Sequence, residues 1–459
     1  MSPEFLALIM FLVTIAALIL GFPVALTLGG SALIFAFIGD YLELFNTGML
    51  MVYPLRIFGV MKNEPLVAVP LFIFMGVMLE KSNLAGELLE AMGRMFGQLN
   101  GGLGISVLLV GAMLAASTGI VGATVVTMGL MSMPVMLRAG YSPSLASGLI
   151  CSSGTLGQII PPSIVLVLLG DILQGANEQA AELKGELVPV PVTAIDLFAG
   201  ALIPGFILVG MYIAWQVFMA FFKPESCPPM SASDDGEKPD YRLLLRAVLP
   251  PLALIIIVLG SILAGIATPT ESAAVGAVGA SFLAWTRGSF NLDIIRAVSR
   301  ETTKISSMVF IILIGASMFS LVFRGFGGDT VIEEFLTKLP GGRFSALLLV
   351  MVIMFFLGFF LDFIEIIFVV VPIVGPVLIS MGYDPLWLGV MIGVNLQTSF
   401  LTPPFGFALF YLRGLAPPEV RTSQIYAGVL PFIGIQVAAL ALFWAVPSIV
   451  TWLPGIIFN

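Results

Sequence analysis

Apolar runs about as long as a membrane-crossing helix recur along the chain, separated by short polar segments. They lie near 4–20, 23–38, 66–80, 143–170 and 197–222, and again near 248–266, 271–286, 305–322, 385–412 and 425–454. Crossing the hydrocarbon core takes roughly 20 apolar residues in a helix, so this pattern predicts about five spans in each half. Between the third and fourth run of each half lies one more apolar region, 104–136 and then 344–380. Two polar stretches stand out against this background. DILQGANEQAAELKGELVPVPVTAID (171–196) reads as an insert outside the membrane. KPESCPPMSASDDGEKPDYRLLLR (223–246) is rich in Pro, Ser and charge and falls near the middle of the chain, so it reads as a linker.

Composition sharpens this to an all-α polytopic membrane protein. Of 459 residues, 59% are hydrophobic and only 10% are Asp, Glu, Lys or Arg, against roughly a quarter in soluble proteins. The N-terminus MSPEFLALIM has no basic n-region, and no cleavable signal is expected. A net charge of −8 without a long basic run speaks against nucleic acid. Two cysteines, Cys151 and Cys227, make no disulfide framework or metal cluster. Histidine is absent, which removes His triads, HExxH zinc sites and His proton relays. With no GxSxG elbow, phosphate loop or facing Asp pair, an enzyme is not expected.

The two halves repeat each other. Pro134 matches Pro376, Gly140-Tyr141 matches Gly382-Tyr383, Pro143 matches Pro385 and Pro161 matches Pro403, each at a separation of 242. Residues 1–222 therefore form a first repeat and 247–459 a second, joined by the linker. Lys and Arg accumulate on the cytoplasmic side of membranes. Placing the linker inside puts 13 positive charges inside and six outside (Arg56, Lys62, Lys184, Arg324, Lys338 and Arg343). Five spans is an odd number, so the second repeat is inverted relative to the first. The same assignment makes 104–136 and 344–380 re-entrant hairpins, one from each face.

Each repeat also breaks one of its helices. GTLGQIIPPS carries Pro161-Pro162 within 143–170, and QTSFLTPPFG carries Pro403-Pro404 within 385–412. Proline removes a backbone donor and clashes with the preceding turn. Such a break is tolerated at membrane depth where it lines a polar cavity. Inverted repeats with paired broken helices are an architecture of secondary transporters, whose sites form near the midplane. At the first hairpin tip, Ser117, Thr118 and Gly119 offer hydroxyls and carbonyls suited to a hard cation such as Na⁺. Gly122 and Thr124 serve equally well for helix packing. The second hairpin carries Gly358 with Asp362 and Glu365; carboxylates at membrane depth suggest function. Asp362 is expected nearer the tip and Glu365 nearer external water. Glu271, just inside a helix start, is either a cap or a coupling group.

GYSPSLASGLICSSGTLGQIIPPS, GIATPTESAAVGA, LDFIEIIFVVVPIVGPVLISMGYDP and NLQTSFLTPPFG resemble the large permease (DctM) subunit of tripartite ATP-independent periplasmic (TRAP) transporters, over essentially the whole chain. The resemblance implies an elevator-type member of the ion-transporter superfamily in the bacterial inner membrane. It would import small carboxylates (C4-dicarboxylates, 2-oxo acids or similar) by sodium symport. It also implies two partners, a small four-helix membrane subunit and a periplasmic substrate-binding protein, with Na⁺ as coupling ion and no other metal or cofactor. A stand-alone sodium/dicarboxylate symporter is the alternative. The family's ion and substrate sites carry over to Ser117, Thr118, Gly119, Gly154, Thr155 and Gly157 in the first repeat. In the second they fall on Gly358, Asp362, Gln397, Thr398, Ser399 and Thr402. One departure stands out: NLQTSFLTPP replaces the more usual NxxIGxxTPP, so Ser399 occupies the family's glycine position.

Overall fold

In hydrocarbon no water receives an unpaired N–H or C=O, and a helix satisfies both within its own segment. Accordingly every regular element among the described residues is helical. The computed structural model describes residues 2–82, 84–96, 98–186, 189–230 and 241–458. The first half runs α1 (Pro3–Ile19), α2 (Val24–Tyr41), α3 (Tyr53–Lys62), α4 (Glu64–Lys81), α5 (Leu84–Phe96), α6 (Gly102–Thr118), α7 (Val121–Arg138), α8 (Pro143–Thr155), α9 (Ile164–Lys184) and α10 (Ala194–Phe222). The second begins with α11 (Tyr241–Leu263), α12 (Pro269–Thr286), α13 (Leu292–Gly325), α14 (Gly328–Thr337) and α15 (Gly342–Leu357). It continues through α16 (Phe363–Val369), α17 (Val371–Ser380), α18 (Pro385–Leu401), α19 (Phe407–Leu415), α20 (Thr422–Ala445) and α21 (Ser448–Ile457).

By length and composition six described helices suffice to cross a membrane, or eight if two bent pairs each count as one span. The chain is a multi-pass membrane protein. Helices α6 and α7 reverse over two residues at Gly119, whose φ of +61° is a left-handed conformation suited to glycine. The α15–α16 reversal uses residues 358–362. Both broken helices are as the prolines require: α8 stops at Thr155 and α9 starts at Ile164, while α18 stops at Leu401 and α19 starts at Phe407. Pro161-Pro162 and Pro403-Pro404 are both cis. Helix α8 packs along α20 through two glycines: a Cβ on Gly428 would lie 1.9 Å from the Ser144 carbonyl, and one on Gly148 would lie 2.2 Å from that of Gly428. Close backbone approach at small residues is how membrane helices gain dispersion contacts where lipid competes for every larger side chain.

Several expectations need correction. Within the insert at 171–196, α9 continues to Lys184. Leu173, Ala176, Asn177, Ala180 and Ala181 form a buried helical stripe, and α9 packs along α17. The linker 223–246 is shorter than its polarity suggests: α11 already starts at Tyr241, and Cys227 is fully buried, its carbonyl accepting from Gly101 N. Residues 231–240 lie outside the described residues. The run 425–454 divides at Pro447, because the residue before a proline is driven out of the helical region; Val446 has φ −129° and ψ 74°. The second arm of the 344–380 hairpin bends by 57° between α16 and α17, where Pro372 supplies no donor. Helix α13 begins 13 residues before the expected 305, and α3, α5 and α14 were not anticipated. Glu271 resolves as a cap: its carboxylate accepts from Thr268 N (2.8 Å) and Thr268 Oγ1.

Candidate functional site

The first hairpin tip stands against the first break. A Cβ on Gly119 would meet Ile164 N at 3.3 Å, so the tip touches the start of the post-break helix α9. One on Gly157 would lie 3.2 Å from the Ala115 carbonyl, and one on Gly154 would strike Val125 at 2.3 Å. Side chains here are tied to their own helices. Ser117 Oγ and Thr118 Oγ1 both donate to the Leu114 carbonyl (2.8 and 2.9 Å), and Thr118 Oγ1 also pairs with Thr124 Oγ1 at 2.8 Å. Thr155 Oγ1 donates to Ser152 O at 2.9 Å. A hydroxyl that donates once keeps lone pairs, so these oxygens remain able to face a cation.

The second hairpin meets the second break in the same way, with small and large residues exchanged. Here the hairpin supplies the glycine: a Cβ on Gly358 would lie 2.2 Å from Ser399 Oγ. Ser399 is fully buried and donates to Leu396 O at 2.8 Å. Thr398 Oγ1 donates to Val394 O and Thr402 Oγ1 to Thr398 O, each at 2.8 Å. Asp362 caps α16. Its Oδ1 accepts from Phe363 N at 2.7 Å, while Glu365 Oε2 accepts from Asp362 N at 3.1 Å. Glu365, expected nearer external water than Asp362, is only 9% exposed, less than Asp362. Its return to the Asp362 amide folds it inward, as the spacing of a capping box dictates.

The two breaks also meet each other. Gln397 Nε2, on α18, donates to Thr155 Oγ1, on α8, across 3.4 Å, and both residues are fully buried. Beside them Gln436 Nε2 on α20 donates to Tyr212 OH on α10 at 2.7 Å. Gln158, at the first break, has both amide atoms buried without a protein partner, and the Oε1 atoms of Gln397 and Gln436 are likewise unpaired. Unpaired buried amide oxygens cost about 1–3 kcal/mol each, so a ligand or water is expected among them.

Sequence reasoning brought together Ser117, Thr118, Gly119, Gly154, Thr155, Gly157, Gly358, Asp362, Gln397, Thr398, Ser399 and Thr402, but missed several neighbours. A Cβ on Gly76 of α4 would lie 2.8 Å from the Ser117 carbonyl, so α4 presses on the first tip. Tyr411, on the post-break helix α19, reaches the first hairpin: a Cβ on Gly122 would meet its ring at 2.8 Å. Gln436 and Tyr212 were detectable as polar groups inside apolar runs; Gly76 has no sequence signal.

The chain matches the family model described as "Tripartite ATP-independent periplasmic transporter, DctM component" over residues 9–449. It is 28% identical over 463 residues to the C4-dicarboxylate TRAP transporter large permease protein DctM of Rhodobacter capsulatus, covering 98% of this chain and 99% of that protein. It is also 28% identical over 452 residues to the ectoine TRAP transporter large permease TeaC of Halomonas elongata, with 98% and 99% covered. The isethionate TRAP permease DctMQ of Oleidesulfovibrio alaskensis is 27% identical over 444 residues, 95% of this chain and 65% of that one. In fold it is similar to the Alcanivorax borkumensis YdaH transporter, with a TM-score of 0.60, 15% identity and 88% of each chain covered. The chain belongs to the DctM family, the large permease components of TRAP transporters.

Proposed function

We propose that this permease imports small organic anions by sodium symport through the inner membrane, receiving them from a periplasmic binding protein and working beside a small four-helix membrane subunit. The observation that carries this reading is the meeting of the two interrupted helices at Thr155 and Gln397, each break backed by a hairpin tip. Helices α9 and α19 restart after their breaks without a side-chain cap from Ser163 or Gly406. Unsatisfied N–H groups and the helix dipole at such ends favour a carboxylate. Hydroxyl, carbonyl and unpaired amide oxygens nearby form a hard donor set that suits Na⁺.

Moving a dianion into a negative-inside cell costs about 4.6 kcal/mol at roughly 100 mV, at about 2.3 kcal/mol per charge. Two Na⁺ neutralise that charge, and a third lets the potential assist. In the proposed elevator step the two hairpins and the two broken helices move together as one unit. Relatives named for C4-dicarboxylates, ectoine and isethionate bracket the substrate as a small organic acid or a solute of that size. Reconstitution into vesicles with the small subunit and binding protein tests the reading. Uptake should require both an inward sodium gradient and the binding protein. Uptake driven by sodium without the binding protein would favour the stand-alone symporter, and sodium-independent uptake would overturn the coupling.

A further inference from the structure

The segment that leaves α10 is docked rather than open. It makes one tight turn at Pro224–Ser226, and Cys227, standing before Pro228, is driven out of helical conformation (φ −147°, ψ 60°). This segment lands on both ends of the first hairpin. The Cys227 carbonyl accepts from Gly101 N at 2.8 Å, at the start of α6, and the Ser226 carbonyl accepts from Ser142 N at 2.9 Å, just past α7. Pro228 lies against Gly140, where an added Cβ would meet it at 3.1 Å. From α10 itself, Gln216 Nε2 donates to the Gly101 carbonyl at 3.1 Å, and a Cβ on Gly101 would lie 2.8 Å from that of Ala220. Both backbone groups of Gly101 are thus held, and Gly101, Gln216 and Cys227 are all buried.

The repeat-mates Tyr141 and Tyr383 show what this segment adds. Each ties the two ends of its own hairpin together: Tyr141 OH accepts from Gly104 N at 3.1 Å, and Tyr383 OH donates to Arg343 O at 3.0 Å. Tyr141 is buried, whereas Gly382, Asp384 and Arg343 around Tyr383 are exposed. We propose that residues 223–228 are a strap that holds the base of the first hairpin shut, so that this hairpin, α8 and α10 shift only as one body. Opening that base would strip the buried Gly101 N–H of its acceptor and uncover Cys227, a cost that native backbones avoid. Hinging at a hairpin base is left to the second hairpin. The strap acts irrespective of the ion that drives transport.

The test uses the full chain carrying Cys151→Ser, reconstituted in vesicles with the small subunit and binding protein, so that Cys227 is this chain's only thiol. Its reaction with N-ethylmaleimide should be about a hundredfold slower than that of Glu225→Cys, an exposed position, in a chain also carrying Cys227→Ser, and a sodium gradient should not speed it. Gln216→Ala, which removes the donor to the Gly101 carbonyl, should raise the Cys227 rate about tenfold. In the parent chain, amide exchange over 139–142 should be about tenfold slower than over the repeat-matched 381–384. The proposal fails if Cys227 reacts like the exposed control, if the gradient brings it to that rate, if Gln216→Ala leaves it protected, or if the two segments exchange alike. Protection of Cys227 together with sodium-independent uptake would keep the strap and overturn the coupling proposed above.

Discussion

Gln397 donates its side-chain amide to the hydroxyl of Thr155, and these two residues are 242 positions apart, the same separation that relates the two halves of the sequence. A residue that touches its own repeat-mate is what a two-fold relation between halves produces, since the contact is then the same patch on both partners. A repeat related by simple translation would bring unlike residues together. An inverted arrangement of the two repeats would place its axis near this pair, at the meeting of the two breaks.

Thr155→Val should raise the sodium concentration for half-maximal uptake by roughly fivefold, the equivalent of about 1 kcal/mol for one lost oxygen contact. Thr155→Ser keeps the oxygen and should be milder; Ser117→Ala should behave like the valine variant. Unchanged sodium dependence in all three, at normal protein levels, would remove these hydroxyls from the ion site.

Gly358 and Ser399 should be coupled. Gly358 has φ −65°, so alanine there meets no backbone strain and the obstacle is the Ser399 side chain, its Oγ 2.2 Å and its Cβ 2.8 Å from the added Cβ. Gly358→Ala should lower stability by about 1–3 kcal/mol through overpacking. Ser399→Gly, which restores the residue usual in the family, should recover it. Thermal midpoints of the two single variants and the double variant check this; strict additivity would mean the two sites do not touch.

Asp362 acts through hydrogen bonds that asparagine can also make. Asp362→Asn should therefore keep the thermal midpoint and most uptake, while Asp362→Ala should lose about 1 kcal/mol of stability with the cap of α16. Glu365→Gln should resemble Asp362→Asn, because its amide oxygen can still accept from the Asp362 backbone. An Asp362→Asn variant that folds normally but no longer transports would show that the charge itself works on a cation.

Topology is open to labelling in a chain from which Cys151 and Cys227 have been removed. Glu186→Cys, exposed beyond α9, should react with an impermeant thiol reagent once the outer membrane is permeabilised. Glu225→Cys, exposed at the start of the linker, should react only after the inner membrane is broken. The opposite pattern would reverse the orientation drawn from the 13-to-6 charge bias.

What the sequence determined by itself was local and repetitive. Continuous apolar runs of this length become helices in lipid because a helix satisfies every backbone group within its own segment. Pro161-Pro162 and Pro403-Pro404 must break theirs, and Ser-Thr-Gly at 117–119 marks a reversal because glycine alone enters the left-handed region cheaply. The bend at Val370 and the stop at Val446 were equally written in the adjoining prolines, although the apolar run concealed them. Tertiary structure decided what no run of letters carries, namely which surfaces meet. The helical course of 171–184 depends on a face of α17 more than 180 residues later. The inward turn of Glu365 depends on the backbone geometry at Asp362, and the pairing of Gly358 with Ser399 on the end of α15 lying against α18. Tyr411 and Gly76 joined the site for the same reason: membrane helices are selected by shape at contact, and shape is a property of two segments at once.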